Sequence, residues 1–195
     1  ALPLFGHSNT LKESGVPCCL GIDEAGRGPV LGPMVYGAAY CSMEQKETLA
    51  KVGFKDSKVL NESQRDLLFQ KIVNSTLTDD NASTTIKKLG MEVGFLTEVL
   101  EPDFLSQQMQ RLAKVNLNTI SHNAAIALIK RALEFGINVK EVFVDTVGTP
   151  SKYQAKLKHH FPDIEITVSK KADSLFPIVS AASICAKVVP FACAF

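Results

Sequence analysis

Several features that would have announced a function are missing from this chain. Its five cysteines never fall into a Cys-x-x-Cys spacing, which argues against a zinc site or a dithiol redox motif and makes reduced thiols in an intracellular setting the expectation. Lysine plus arginine (21) nearly cancels aspartate plus glutamate (20), so the formal net charge of +1 gives no general attraction to polyanions. Any nucleic-acid contact must therefore use a local basic surface. The first ten residues hold neither a basic region nor an apolar core, so no secretory leader is expected. The Asn-x-Ser/Thr matches at Asn61, Asn74 and Asn81 then read as chance. Repeats and low-complexity tracts are absent, and the glycines fit neither G-x-G-x-x-G nor G-x-x-x-x-G-K-[ST], which leaves a nucleotide-binding module as a weak third reading.

What is present is a chain of 195 residues, 46% hydrophobic and 21% charged, enough for one domain with a real core. Its most informative stretch is Gly21-Ile22-Asp23-Glu24-Ala25-Gly26-Arg27-Gly28-Pro29, where two adjacent carboxylates run into a glycine-flanked arginine. Cys18-Cys19-Leu20 before it and the apolar residues from Val30 to Tyr40 after it put the acids at the end of a buried strand. Buried carboxylates side by side repel and drift toward protonation unless a cation neutralises them, and a divalent metal is the common answer. Successive strand side chains point to opposite faces, so Asp23 and Glu24 reach one ion only if the pleat breaks at one of them. Gly26 and Gly28 supply a break and let a sugar-phosphate backbone approach, with Arg27 facing an anion. The plainer alternative makes Asp23 a surface turn residue and Gly-Arg-Gly an ordinary loop.

The remaining pattern predicts alternating strands and helices. Residues 18–41 read as a hairpin with its second strand over 34–40. Asn61-Glu62-Ser63-Gln64 caps an amphipathic helix that uses Leu67, Leu68, Ile72 and Val73. Residues 74–83 have loop composition, and a strand is expected around Met91–Leu96. Helices follow from about Pro102 to Met109 and from about Asn118 to Phe135, the latter with Ile120, Ala124, Ala127, Leu128, Arg131 and Leu133 at helical spacing and Gly136 as a stop. Then come a strand over 141–145, a helix over 153–161, a strand over 164–168 and an alanine-rich buried helix over 176–189. This order argues for an α/β sheet whose later strands are parallel and whose ligands gather at their carboxyl ends.

Asp23 and Asp145 each end an apolar strand, and Asp173 stands at the mouth of the buried helix, whose N-terminal dipole favours negative charge. Hard oxygen donors suit Mg²⁺ or Mn²⁺, and four acids can hold two such ions about 4 Å apart, clamping the attacking and leaving oxygens of a phosphodiester displacement. Asp145 as a turn residue and Asp173 as an N-cap remain the simple alternatives.

The segments Gly-Ile-Asp-Glu-Ala-Gly-Arg-Gly-Pro-Val-Leu-Gly-Pro-Met-Val (21–35), Asp-Ser-Lys (56–58), Asn-Leu-Asn-Thr-Ile-Ser-His (116–122), Phe-Val-Asp-Thr-Val-Gly (143–148) and Lys-Ala-Asp-Ser-Leu-Phe-Pro-Ile-Val-Ser-Ala-Ala-Ser-Ile-Cys-Ala-Lys-Val (171–188) resemble the type 2 ribonucleases H. The likeness is greatest to the catalytic subunit of the eukaryotic members. It implies an α/β ribonuclease H-like fold, a mixed central sheet flanked by helices. It also implies a nuclear endonuclease that cleaves RNA in RNA/DNA hybrids and incises 5′ of single ribonucleotides in duplex DNA during replication and repair, leaving 3′-hydroxyl and 5′-phosphate ends. By the same resemblance Asp23, Glu24, Asp145 and Asp173 hold two Mg²⁺ or Mn²⁺ ions. Gly26, Arg27 and Gly28 meet the 2′-hydroxyl that distinguishes RNA from DNA. Lys58 and Asn116 approach substrate phosphates, although an exposed lysine and a helix-capping asparagine are nearly as good readings. Accessory B and C subunits of a heterotrimer are the implied protein partners, and no membrane association is expected.

The resemblance divides the chain into an N-terminal extension (1–17), a catalytic domain (18–189) incomplete at its C-terminus and an atypical tail (190–195). The family continues past Lys187-Val188 with an Ala- or Thr-Arg-Asp segment and a helical tail that carries a sugar-stacking tyrosine and accessory-subunit surface. Tyr36, Tyr40 and Tyr153 are therefore expected to be packing residues, and a truncated or alternative end is expected. A non-catalytic form that binds hybrid or accessory subunits without cutting is the alternative function. The tandem His159-His160 reads as solvated, and His122 as a local hydrogen-bonding residue.

Overall fold

The apolar runs that flank the Gly-Arg-Gly turn pair with one another across the centre of a single sheet. The computed structural model describes residues 5–27, 32–54, 60–76, 91–110 and 115–192. In chain order its elements are β1 (Phe5–Gly6), α1 (Asn9–Ser14), β2 (Cys18–Ala25), β3 (Met34–Ser42), a 3₁₀ turn (Met43–Gln45), α2 (Lys46–Lys51), α3 (Glu62–Thr76), β4 (Gly94–Leu100), α4 (Pro102–Gln110), α5 (Leu117–Phe135), β5 (Val139–Asp145), α6 (Pro150–His160), β6 (Glu165–Ser169), α7 (Ala172–Leu175) and α8 (Pro177–Ala192). The sheet order is β1-β4-β3-β2-β5-β6. The first four of these pair antiparallel, whereas β2–β5 and β5–β6 are parallel. The expected mixed sheet with helices on its faces is what forms.

Alternation along β2 sorts the core into two layers. Cys18, Leu20 and Ile22 pack with Ile120, Ala125, Leu128 and Ile129 of α5 and Tyr153 and Leu157 of α6. Cys19, with Cys41 of β3 and Phe143 of β5, faces Ile178, Val179, Ala182 and Cys185 of α8. The alanine-rich composition of α8 has a steric reason. A Cβ placed on Gly21 would sit 2.5 Å from the Ile178 carbonyl carbon, and one placed on Gly37 would collide with the Ala182 carbonyl oxygen, so the helix lies directly on the strand backbones. No described helix is long and apolar enough to cross a membrane.

The caps follow the sequence signals. Asn61 and Gln64 bond reciprocally, Gln64 N–H to Asn61 Oδ1 at 2.8 Å and Asn61 N–H to Gln64 Oε1 at 2.9 Å, which is a capping box. Gly136 ends α5 in the left-handed conformation. Some expectations need correction. The fourth strand starts three residues later than expected, because Met91 and Val93 are buried in an irregular approach to it. Leu67 and Leu133, assigned to the apolar faces of their helices, are 55% and 38% exposed. Residues 5–17 also carry elements that no sequence pattern marked. Phe5–Gly6 extends the sheet beside β4, and Leu11 of α1 enters the core. Gly28, Lys58 and most of the loop expected at 74–83 lie outside the described residues.

Candidate active site

Parallel pairing of β2 with β5 brings two of the predicted acids to one edge of the sheet. Ile22 is the register partner of Val144, so Asp23 and Asp145 are the next residues of adjacent strands at their carboxyl ends. Asp23 is 5% exposed and its Oδ1 accepts the Glu24 N–H at 2.8 Å. Asp145 Oδ1 accepts two amides, from Thr146 at 3.0 Å and from Ala172 at 3.1 Å. The second of these ties the end of β5 to the element that carries Asp173.

Asp173 is 3% exposed and lies inside the one-turn helix α7, a correction to its expected place at the mouth of the long buried helix. Phe176, extended between the two, separates α7 from α8. Lys171 enters α7 with φ 55°, the only positive φ of a non-glycine residue among those described. This left-handed turn swings the chain off β6 so that the Ala172 amide meets Asp145 and Asp173 faces the same corner.

Asp23 feels the two other aspartates. Burial pushes the Asp23 carboxyl up to about 7, and Asp145 and Asp173 push the same way, while the Ser183 hydroxyl and the Glu24 N–H hold it back. Ser183 comes from the buried face of α8, where Lys187 donates to its hydroxyl at 3.2 Å. Neither Ser183 nor Lys187 was singled out from sequence. The signal was a polar residue at 183 with the only charge of the helix four residues later, hidden in an alanine run.

The pleat does not break at the acid pair. β2 stays in register with β3 through Ala25↔Val35, so Glu24 stands on the opposite face from Asp23, opposite Tyr36 in the register. There it is close to two fully buried phenols. Burial and then Glu24 push the Tyr36 hydroxyl up, and burial, Tyr36 and Glu24 do the same to Tyr153. His122 stacks on Tyr153 with ring centroids 3.8 Å apart, and its Nε2 lies 3.4 Å from the Val147 carbonyl oxygen. All three tyrosines pack in the interior, as expected, and His159 and His160 are exposed.

Gly26 has φ 76°, and a Cβ there would strike the Pro33 carbonyl oxygen, so this position requires glycine. Arg27, half-buried, has its guanidinium engaged within the chain. Its Nη1 donates to Ser121 Oγ at 2.7 Å and its Nη2 to Asn118 Oδ1 at 2.5 Å, both on the first turns of α5. Asn116 is used as the N-cap of α5, accepting the Thr119 N–H at 2.8 Å and the Thr119 hydroxyl at 3.1 Å. The asparagine that reaches the acid-bearing corner is Asn118.

Carboxylate oxygens are the donor set a hard divalent cation takes, and Asp23 and Asp173, both buried, with the half-buried Asp145 fit that role. Among the described residues no three acid, histidine or cysteine side chains close around a point as a ready-made cage.

Comparison with known proteins finds relatives over most of the chain. The ribonuclease HII family profile matches residues 20–190. The A subunit of ribonuclease H2 from Arabidopsis thaliana is 50% identical over 179 residues, which cover 92% of this chain and 55% of that protein. Among solved structures, that of the PCNA:RNase HII complex from Archaeoglobus fulgidus superposes with a TM-score of 0.70 at 28% identity, covering 89% of this chain and 73% of that one. Bst-RNase HIII in complex with Mn²⁺ shares the fold, with a TM-score of 0.67 at 20% identity over 94% of this chain and 55% of that one. The chain spans about half the length of the curated relatives it matches.

Proposed function

The chain belongs to the ribonuclease HII family, and from that premise we propose that it forms the catalytic part of an endonuclease that hydrolyses RNA in RNA/DNA hybrids and incises 5′ of single ribonucleotides in duplex DNA. The observation that carries this reading is the convergence of Asp23, Asp145 and Asp173 at the ends of two parallel strands and the turn behind them. Two divalent cations, Mg²⁺ or Mn²⁺, would be held by these aspartates and would supply water activation and stabilisation of the departing 3′ oxygen; Glu24, expected as a fourth ligand, lies on the opposite face of the continuous strand, beside Tyr36.

The protein's own share of the work is positional. The Thr146 and Ala172 amides hold the Asp145 carboxylate with one oxygen engaged and the other available. The Ser183 hydroxyl and the Glu24 amide orient Asp23 and favour its charged form against the cost of burial. Gly26 is exposed at the strand end with its missing Cβ side packed on the Pro33 carbonyl, and its backbone groups are where this reading puts the sugar edge and its 2′-hydroxyl. In the same reading the enzyme works in the nucleus, in DNA replication and repair, with accessory B and C subunits as its partners.

The test is incubation of the purified chain with Mg²⁺ and a DNA duplex that contains one ribonucleotide. The reading predicts a single cut 5′ of that ribonucleotide, with 3′-hydroxyl and 5′-phosphate ends. A chain that retards the duplex in a gel and never cuts it would overturn hydrolysis in favour of a binding role.

A further inference from the structure

The two acid-bearing strands end in separate turns, and one exposed side chain touches both. Asn118, in the first turn of α5, accepts from Arg27 Nη2 at 2.5 Å, and Arg27 follows directly on the Gly26 turn after β2. Its amide nitrogen lies against Gly148 in the turn after β5, where φ is 85° and a Cβ would come within 3.1 Å of Asn118 Nδ2. Ser121, one helical step further on the same face, is fully buried and takes the other prong of the guanidinium at 2.7 Å. A planar fork with two fixed donors matches two acceptors three residues apart on a helix, which a lysine could not reproduce.

This arrangement changes the role of Arg27. A guanidinium engaged on both prongs by α5 ties the residue after Gly26 to that helix, and its partner Asn118 packs beside the turn that follows Asp145. Resting on the function proposed above, we propose that Asn118 is a positioning residue for ribose recognition. By bridging Arg27 and the Gly148 turn, it sets the distance between the Gly26 backbone and the Asp145 carboxylate at which a 2′-hydroxyl is read. The register of β2 with β5 ends at Ile22↔Val144, so beyond that pair no ladder bond ties the two strand ends together, and a side-chain bridge is what spans them.

The experiment measures binding with Ca²⁺ in place of Mg²⁺, using one duplex with a single ribonucleotide and a matched all-DNA duplex. Asn118→Ala is expected to reduce the preference for the ribonucleotide about tenfold, the worth of one charge-assisted hydrogen bond, while affinity for the all-DNA duplex holds. Asn118→Asp keeps the acceptor for Arg27 and loses the amide nitrogen beside Gly148, so it is expected to recover only part of the preference, and an unchanged melting temperature in both variants separates positioning from loss of fold. The Arg27→Ala/Asn118→Ala double variant should discriminate no worse than the poorer single variant. An Asn118→Ala protein with the wild-type preference would overturn the inference and leave the proposed function standing. A wild-type protein with no preference would overturn the inference as well, whereas the proposed function fails only if the same protein does not cut the ribonucleotide duplex in Mg²⁺.

Discussion

Asp23 concentrates the chemistry of this chain in one side chain, and its behaviour with pH follows from its surroundings. Its folded pKa stands at about 7 against an ordinary value of 3.8, because burial and two neighbouring aspartates disfavour the charge. A carboxyl raised in the fold contributes stability that is fully present below pH 3.8 and is lost as pH rises toward and through about 7. The metal-free protein should therefore unfold more easily in urea at pH 8 than at pH 5. Asp23→Asn should flatten that difference and be the more stable protein at pH 8, by on the order of 2–4 kcal/mol. For catalysis the loss of a carboxylate from this set is a loss of rate. Asp145→Asn should lower the cleavage rate at least about 10²-fold with little change in melting temperature, read from single-turnover kinetics beside thermal denaturation. Asp23 and Asp145 were legible in the sequence because each ends an apolar run. Ser183 and Asn118 were not, since their roles depend on which strand α8 lies over and which turn α5 faces, and neither fact has a local signal.

Elements place these residues, and the least visible devices are in the backbone. Lys171 adopts a left-handed conformation that a lysine pays for with roughly 1 kcal/mol, so no propensity could have separated α7 from the helix that follows. Lys171→Gly should be neutral or slightly stabilising, whereas Lys171→Val should destabilise by about 1–2 kcal/mol and lower activity by shifting Asp173, as read by urea titration and cleavage assay. The contact of α8 with the sheet is equally specific. Gly21→Ala should cost at least about 1–3 kcal/mol by driving a methyl into the Ile178 peptide, while Gly32→Ala, with open space around it, should stay within about 0.5 kcal/mol of wild type in the same measurement. The helix boundaries at Asn61 and Gly136 were readable because caps are local chemistry. The pleat through Asp23 and Glu24 was misread, since the flexible Gly-Arg-Gly stretch suggested a break that the continuous pairing with β3 prevents.

At the scale of the whole molecule, the alternation of strands and helices after residue 91 made the parallel β2–β5–β6 half of the sheet legible, and the hairpin at 18–41 supplied its antiparallel half. The edge next to β4 was hidden, because a strand of two residues and a helix of six have no period to detect. With a near-neutral chain, the proposed binding of a polyanion gains nothing from net charge, and at the corner where the acids meet a cation would have to offset them. The most direct measurement is therefore titration of the metal-free chain with Mn²⁺, followed by the loss of free-ion signal in electron paramagnetic resonance, for the wild type and for Asp23→Asn, Asp145→Asn and Asp173→Asn. Shared ligation predicts saturable binding by the wild type, weakened by each substitution. Binding of equal strength in all four proteins, or none in the wild type with duplex present, would contradict it.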